Sequence, residues 1–279
     1  MHVWKMNGAG NDFLILDDRQ EDLTEQRISM LATKLCERHL SLGADGLMVV
    51  RKPKMGGDLQ MLFYNADGSK GEMCGNGARC ICRYAHEIGV AGDTQRIETT
   101  AGMVTGWKVN RREYRIEINQ PTVFRLELPV QLDGIQLACS YLELGNPGLP
   151  HVVLPYHALR NAPEEELRQI GKKLRSHPEF PKGANVNFYD VEGPDQVWVR
   201  TYERGVEDFT YACGTGSCSV AAVLTLQGRR DGNGIKLQMV GGTLVVDVQR
   251  VGETVTHLYL TGPTNIVAKA EVTDEELEL

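Results

Sequence analysis

The chain lacks several features that would decide its class at once. Among its 279 residues no run approaches the roughly 20 apolar residues that a helical membrane span needs. The longest mainly apolar stretch, 220–226, is short and broken by Thr225. The first residues, MHVWKMNGAGNDF, have no charged start, apolar stretch and small-residue cleavage site, so they do not read as an export signal. Positive charge is in the minority: 30 Lys and Arg against 37 Asp and Glu give a net charge of −7. A surface of that sign repels phosphate, which speaks against nucleic acid as a partner. The seven cysteines, at 36, 74, 80, 82, 139, 213 and 218, contain no Cys-x-x-Cys pair, and the seven histidines show no His-x-x-x-His spacing. A disulfide scaffold, a zinc finger and a metal centre are therefore not expected. No low-complexity linker interrupts the sequence. What is present, 42% hydrophobic and 24% charged residues, suits a folded protein of about two domains, expected in the cytoplasm and off the membrane.

The chain repeats itself once. Residues 74–77 read Cys-Gly-Asn-Gly and residues 213–216 read Cys-Gly-Thr-Gly, 139 positions later. Each is followed by an apolar segment of helical character, ARCICRYAHEIGV and SCSVAAVLTLQGR, that runs into a glycine, Gly89 or Gly228. Asn65 precedes Cys74, and Arg204 precedes Cys213, by nine residues, each on a strand-like run that ends in a turn. A glycine-containing strand is expected after each helix, at 97–104 and 236–246. An amphipathic helix is expected ahead of each unit. One, near 23–40, carries Leu23, Ile28, Leu31, Leu35 and Leu40; the other opens with Pro163 in its first turn and carries Leu167, Ile170 and Leu174. REYRIEINQ alternates as a half-buried strand does. The fold class is thus α+β, in two similar halves joined near 118–122, where a proline breaks the pattern. The acidic end, EVTDEELEL, receives no assignment.

The two turns carry the chemistry. A cysteine at a helix start faces unsatisfied backbone N–H groups and the positive end of the helix dipole, and both favour thiolate. Glycines let a ligand approach the backbone, whose N–H groups then hold a carboxylate or phosphate. One such turn is an ordinary tight turn; two, each led by cysteine in a duplicated chain, form a pair. If the halves face each other, two thiols meet one ligand. Inverting a stereocentre without a cofactor needs such a pair, one thiolate to take a proton and one thiol to deliver another to the opposite face. Helix N-termini on the α-carboxylate would stabilise the developing carbanion. The other cysteines, Cys36, Cys80, Cys82, Cys139 and Cys218, read as packing residues. Asp17, Asp18 and the run 164–166 read as solvated surface.

The motifs MNGAGNDF (6–13), FYNADGS (63–69), MCGNGARC (73–80), GANVNF (183–188), YERG (202–205), ACGTGS (212–217) and TGP (261–263) resemble those of diaminopimelate epimerases from end to end. The resemblance implies interconversion of LL- and meso-diaminopimelate for lysine and peptidoglycan, with no cofactor or metal, often in a homodimer. It implies two pseudo-symmetric domains, 1–118 plus 263–279 and 119–262, each a curved mixed sheet or barrel wrapped around a central helix, with the active site between them. Cys74 and Cys213 would be the acid–base thiols. Amides of Gly75, Asn76, Gly214 and Thr215 would hold the reacting carboxylate, and Asn11 would contact the reacting centre. Asn65, Asn185 and Arg204 would recognise the distal head, with Glu203 near its ammonium, through its side chain or its backbone carbonyl.

The sequence departs from the family where Gly-Asn-Pro-His is usual; here it reads GNPGLPHVV. Aligning His151 with the family histidine puts Leu149 at the asparagine position; aligning Asn146 requires three inserted residues. Gly46 stands where some members have glutamine. A changed contact leaves open a racemase of another amino acid, such as histidine. A thiol redox sensor also remains open. A phenazine-type isomerase of the same fold lacks the cysteine pair and is disfavoured.

Overall fold

The computed structural model describes residues 1–71, 73–193, 196–273, 275 and 277. Much of the acidic end (274, 276, 278 and 279) lies outside the described residues. In chain order the first elements are β1 (His2–Gly8), β2 (Asn11–Asp17), α1 (Glu25–Leu35), β3 (Gly46–Arg51), β4 (Leu59–Asn65), β5 (Lys70–Gly71), α2 (Gly75–Glu87), β6 (Thr94–Thr99), β7 (Gly102–Lys108) and β8 (Glu113–Ile118). There follow β9 (Pro121–Leu132), β10 (Ile135–Leu144), β11 (Leu149–Pro155), α3 (Glu164–Arg175), β12 (Asn185–Val191), β13 (Val197–Glu203) and β14 (Asp208–Phe209). The chain closes with α4 (Gly214–Leu226), β15 (Ile235–Met239), β16 (Gly242–Val251), β17 (Thr254–Pro263) and β18 (Asn265–Glu271). These form two compact units, Met1–Ile116 with Thr261–Leu279, and Glu117–Leu260. The class is α+β.

Each unit repeats one plan. In the first, β1 lies antiparallel between β18 and β2, β2 runs parallel to β3, β3 antiparallel to β4, and β4 parallel to β6, which turns back into β7. In the second, β10 lies antiparallel between β9 and β11, and the same relations recur through β12, β13, β15 and β16. Parallel neighbours need a crossover. α1 and α3 supply it for the first parallel pair of each unit, α2 and α4 for the second.

The two kinds of helix differ in sequence for that reason. α1 and α3 bury one stripe each, Ile28, Leu31, Ala32 and Leu35, and Leu167, Gly171 and Leu174. In α2 every residue from Gly75 to Ala85 is buried, and in α4 all from Gly216 to Thr225 as well as Gly214. A helix covered on all sides must be short of polar residues unless they are bonded, and α4 has no charged side chain. Both helices end alike. Gly89 (φ 72°) and Gly228 (φ 69°) take the left-handed conformation, and the N–H of Val90 and Arg229 return to the carbonyls of Ala85 and Leu224. This glycine closure satisfies the last carbonyls where each helix reaches the surface.

Several expectations need correction. α1 stops at Leu35, so Leu40 lies beyond it and is 78% exposed. Pro163 caps α3 from outside, with ψ at 123°, rather than sitting in its first turn. The glycines at 102 and 242 mark hairpin turns between β6 and β7 and between β15 and β16, not strand interiors. Asp18 is buried, ion-paired with Arg51 at 2.8 Å and accepting the N–H of Leu23, while Asp17 is half-buried against Arg19. Leu277, in the unassigned end, packs with Val272 into the apolar cluster beneath α1.

The start of each central helix is packed too closely for a side chain at its second glycine. A Cβ on Gly77 would strike the terminal methyl of Met48, and one on Gly216 would strike Oδ1 of Asn187. Met48 can rotate its methyl aside, whereas Asn187 Oδ1 is held by Thr201 Oγ1 at 3.0 Å. Gly216→Ala should therefore destabilise the protein by about 1–3 kcal/mol. Gly77→Ala should be close to neutral, because alanine's better helix propensity, about 1 kcal/mol, offsets the crowding. Urea midpoints of the two variants test the ranking; equal losses would contradict it.

Candidate functional site

Cys74 and Cys213 occupy the same place in their units. Each is the residue before a buried helix, in extended conformation (φ −122°, ψ 117° and φ −112°, ψ 112°). Each carbonyl accepts the helix's first bond, from Ala78 at 2.8 Å and from Ser217 at 2.9 Å. The Cys213 sulfur accepts from the Gly216 N–H at 3.4 Å and lies 3.5 Å from Thr215 Oγ1. The early N–H groups of such a helix have no partner within it. Gly75, Asn76 and Gly214 are buried and Thr215 is half-buried, at the end of the helix where the dipole favours an anion. The remaining cysteines are placed differently. Cys80 and Cys82 are fully buried in α2, and burial pushes both thiols up to about 12. Cys36 and Cys139 are likewise raised by burial to about 12.

In the first unit a polar ladder runs from the helix to the surface. Arg79, fully buried in α2, donates from Nη2 to Asn76 Oδ1 at 2.8 Å. Asn76 Nδ2 donates to Asn11 Oδ1 at 2.9 Å, and Asn11 Nδ2 to Asp45 Oδ2 at 2.7 Å. Asp45 also accepts from Arg38, which bonds Asp12 as well; Lys5 pairs with Asp12 at 2.9 Å. Burial pushes the Asp12 carboxyl up, but the bonds from Lys5 and Arg38 outweigh it and hold the group below the usual range. Asn65 ends β4 directly opposite Gly46 on β3, and its Nδ2 donates to Ser69 Oγ at 2.9 Å. Gly46 has no room for a side chain: a Cβ would meet the Phe63 ring and the Tyr64 carbonyl, both at 2.6 Å.

In the second unit the polar groups are arranged differently. Asn185 opens β12 beside His151; its Nδ2 donates to the Pro150 carbonyl at 3.3 Å and its Oδ1 accepts from the Arg204 backbone at 2.8 Å. The half-buried Arg204 donates from Nη1 to the Lys182 carbonyl at 3.1 Å. Glu203 accepts from Thr210 Oγ1 at 2.9 Å, and its backbone carbonyl accepts from Glu207 at 2.8 Å. His151 is fully buried against Asn187 at 3.2 Å, and among the described residues its Nε2 finds no hydrogen-bond partner. Burial first, then the charge of Arg204, lowers its pKa to about 3, so the ring is neutral.

The departure at 145–151 has a structural form. In the first unit Gly8 and Asn11 close the β1–β2 turn; in the second Leu144 and Leu149 close the β10–β11 turn. The extra residues enlarge that turn, Asn146 is exposed on it, and Leu149 takes the register position that Asn11 has in the first unit.

Arg79, Asp45 and Asn187 were not picked out as site residues from sequence. Arg79 had a signal, a charge between the small and apolar residues Ala78, Cys80 and Ile81. Asn187 had a weaker one, a polar residue two positions after Asn185 on a strand of Val and Phe.

His151 yields a pH effect of definite sign. Between about 3 and its ordinary value of 6.5 the unfolded chain binds a proton that the folded one does not. Stability should therefore fall as pH drops below 6.5. The urea midpoint should decline from pH 7 to pH 5, and His151→Gln should flatten that decline; an unchanged slope would contradict it.

The sequence profile of the diaminopimelate epimerase family matches residues 3–123 and 144–267. A diaminopimelate epimerase of Aquifex aeolicus is 36% identical over the full length of both chains. One from Pelotomaculum thermopropionicum is 33% identical, over 97% of this chain and 98% of that protein. Among solved structures, a phenazine biosynthesis protein of the PhzF family from Bacillus anthracis superposes with TM-score 0.76 at 17% identity, covering 98% of each chain. A probable proline racemase from Agrobacterium radiobacter gives 0.71 at 16% identity, covering 99% of this chain and 94% of that one. At such identities these two likenesses concern the fold.

Proposed function

Because this chain belongs to the diaminopimelate epimerase family, an isomerase interconverting LL- and meso-diaminopimelate, we propose that it works through Cys74 and Cys213 as a two-base pair. The observation that carries this reading is the placement of both cysteines, each immediately before a buried helix whose N-terminus favours an anion. One thiolate takes the α-proton as the other thiol delivers a proton to the opposite face. The α-hydrogen of an amino acid is only weakly acidic, so the carbanion needs support. The amides of Gly75, Asn76, Gly214 and Thr215 supply it by binding the reacting carboxylate, and Asn11 contacts the reacting centre. The proton moves between sulfur and carbon alone, so the step requires neither a metal nor a pyridoxal group.

Recognition of the distal amino acid head falls to Asn65, Asn185 and Arg204. The Arg204 guanidinium fits a carboxylate in a two-pronged bond. The Glu203 side chain is the nearer candidate for the distal ammonium, since its backbone carbonyl already accepts from Glu207. Leu149 offers no side-chain amide, so distal recognition rests on the other three residues. His151, neutral and backed by Asn187, shapes the second half rather than exchanging protons. We place the enzyme in the cytoplasm, where thiols stay reduced, as a homodimer that engages neither membrane nor nucleic acid. In the described residues no helix is long and apolar enough to cross a membrane.

Cys74→Ala and Cys213→Ala should each lower kcat for diaminopimelate epimerisation by at least about 10³-fold, since each removes one face's proton carrier. Near wild-type turnover by either variant would refute the pair. Arg204→Ala should raise KM by roughly 10²-fold, because a charged hydrogen bond contributes about 1.5–3 kcal/mol. Unchanged KM would remove Arg204 from the distal site.

A further inference from the structure

Asn11 is held at both ends of its amide. Its Nδ2 donates to Asp45 Oδ2 at 2.7 Å, and its Oδ1 accepts from Asn76 Nδ2 at 2.9 Å. A carboxylate accepts hydrogen bonds and has none to give, so only the NH2 of Asn11 can meet it. Turned over, the amide would set its own oxygen against the carboxylate. Asp45 is itself held by its neighbour on β2. Its Oδ2 also accepts from the Asp12 N–H at 3.1 Å. In return the Asp45 N–H donates to Asp12 Oδ1 at 3.1 Å and to the Asp12 carbonyl at 2.9 Å. Arg38 Nη2 bridges the pair, 2.7 Å from Asp12 Oδ1 and 2.9 Å from Asp45 Oδ1.

The duplicated frame supplies its own comparison. β2 runs parallel to β3 with Phe13 opposite Gly46, and β11 runs parallel to β12 with His151 opposite Asn185. By that register Asn11 corresponds to Leu149, Asp12 to Pro150 and Asp45 to Ala184. Leu149 has no side-chain amide to hold, Ala184 has no carboxylate, and Pro150 has no N–H to donate. The second copy keeps its parallel pairing all the same. Joining these two strands therefore does not require the carboxylate, which occurs in the unit that has an amide for it to hold.

We propose that Asp45 is a positioning residue of the epimerisation: its carboxylate fixes which way round the Asn11 amide faces the reacting centre. The inference rests on the reading above, which is where the role of Asn11 comes from. Asp45 acts through Asn11 and on no reacting atom. Beyond its two bonds, the Asn11 amide has one further hydrogen and one further lone pair to offer, in directions that Asp45 and Asn76 determine. Without the carboxylate the amide can turn about its last side-chain torsion, which has two broad and nearly equivalent settings. The turn would exchange donor and acceptor at the reacting centre.

The test is a double-mutant cycle on kcat/KM for diaminopimelate epimerisation, with the reduced full-length enzyme. Asp45→Ala should lower kcat/KM by about 10-fold or more, as loss of a hydrogen bond to a charged group does. Asn11→Ala should lower it at least as far. In the Asn11→Ala background, Asp45→Ala should change kcat/KM by less than about twofold, because nothing is left to position. A role in holding the fold alone would give the same factor in both backgrounds, and that result would overturn the proposal. Asp45→Ala at wild-type kcat/KM would overturn it too. Arg38→Gln removes an exposed cation from the aspartate pair and leaves the Asn11 bond, so kcat/KM should stay within about threefold of wild type. A loss as large as that of Asp45→Ala would assign the effect to the aspartate pair and overturn the role of Asn11 in it. Should Asp45→Ala fail to fold, Asp45→Ser, one atom too short for the same bond, carries the same comparison in both backgrounds. Asn11→Ala at wild-type turnover would remove Asn11 from the reacting centre and the proposal with it, whereas the cysteine variants address the thiol pair separately.

Discussion

The start of two buried helices, where helical bonding alone leaves N–H groups over, is the constraint on which the rest of the structure depends. A helix cannot satisfy its own first N–H groups, and in a dry interior that deficiency is costly unless something negative meets it. Around α2 and α4 the fold maintains this condition: each helix is covered along nearly its whole length, and each far end is sealed by a left-handed glycine. At the near end the helix's own bonding leaves its first N–H groups over. Placing cysteine there couples a titratable group to the same electrostatics that would bind a carboxylate. The close-packed second glycine of the turn before α4 belongs to the same arrangement, since a side chain at Gly216 would strike Asn187, which Thr201 holds in place.

Duplication explains the shared frame, and divergence explains the chemistry. Strand order, parallel crossovers and helix closures recur from one unit to the other. Behind the helix starts the two units differ. One places a charged ladder, Arg79 through Asn76 and Asn11 to Asp45. The other places a neutral cluster of His151, Asn187 and Thr201. On the proposed two-thiol reading, in which the two bases hold opposite protonation states at the start of each turnover, such inequality has a use.

Much of this was legible in the sequence because duplication doubles each signal. Two Cys-Gly-x-Gly turns, each followed by an apolar run and a glycine, identified both central helices and their ends. The stripe of α1 was legible too, but not its end: Leu40 continues the helical period past the point where the chain leaves the helix. Periodicity records which residues could share a face, not where backbone bonds stop. The glycines at 102 and 242 were visible while the hairpins they close were not, because glycine in a strand pattern marks a bend without giving its angle. Arg79 and Asn187 escaped because their roles depend on partners distant in sequence or behind a helix. Leu149 could be weighed against Asn146 only once strand register placed it opposite Leu144.

The most direct measurement is the early labelling pattern in deuterium oxide, with reduced wild-type enzyme, no added cofactor, and LL-diaminopimelate alone as substrate. Two distinct proton carriers predict solvent deuterium at the inverted centre of the meso product while recovered LL-diaminopimelate keeps its α-proton during the first turnovers. Deuterium appearing equally early in the recovered substrate would mean that one group both removes and returns the proton, and the paired-thiol mechanism would be wrong.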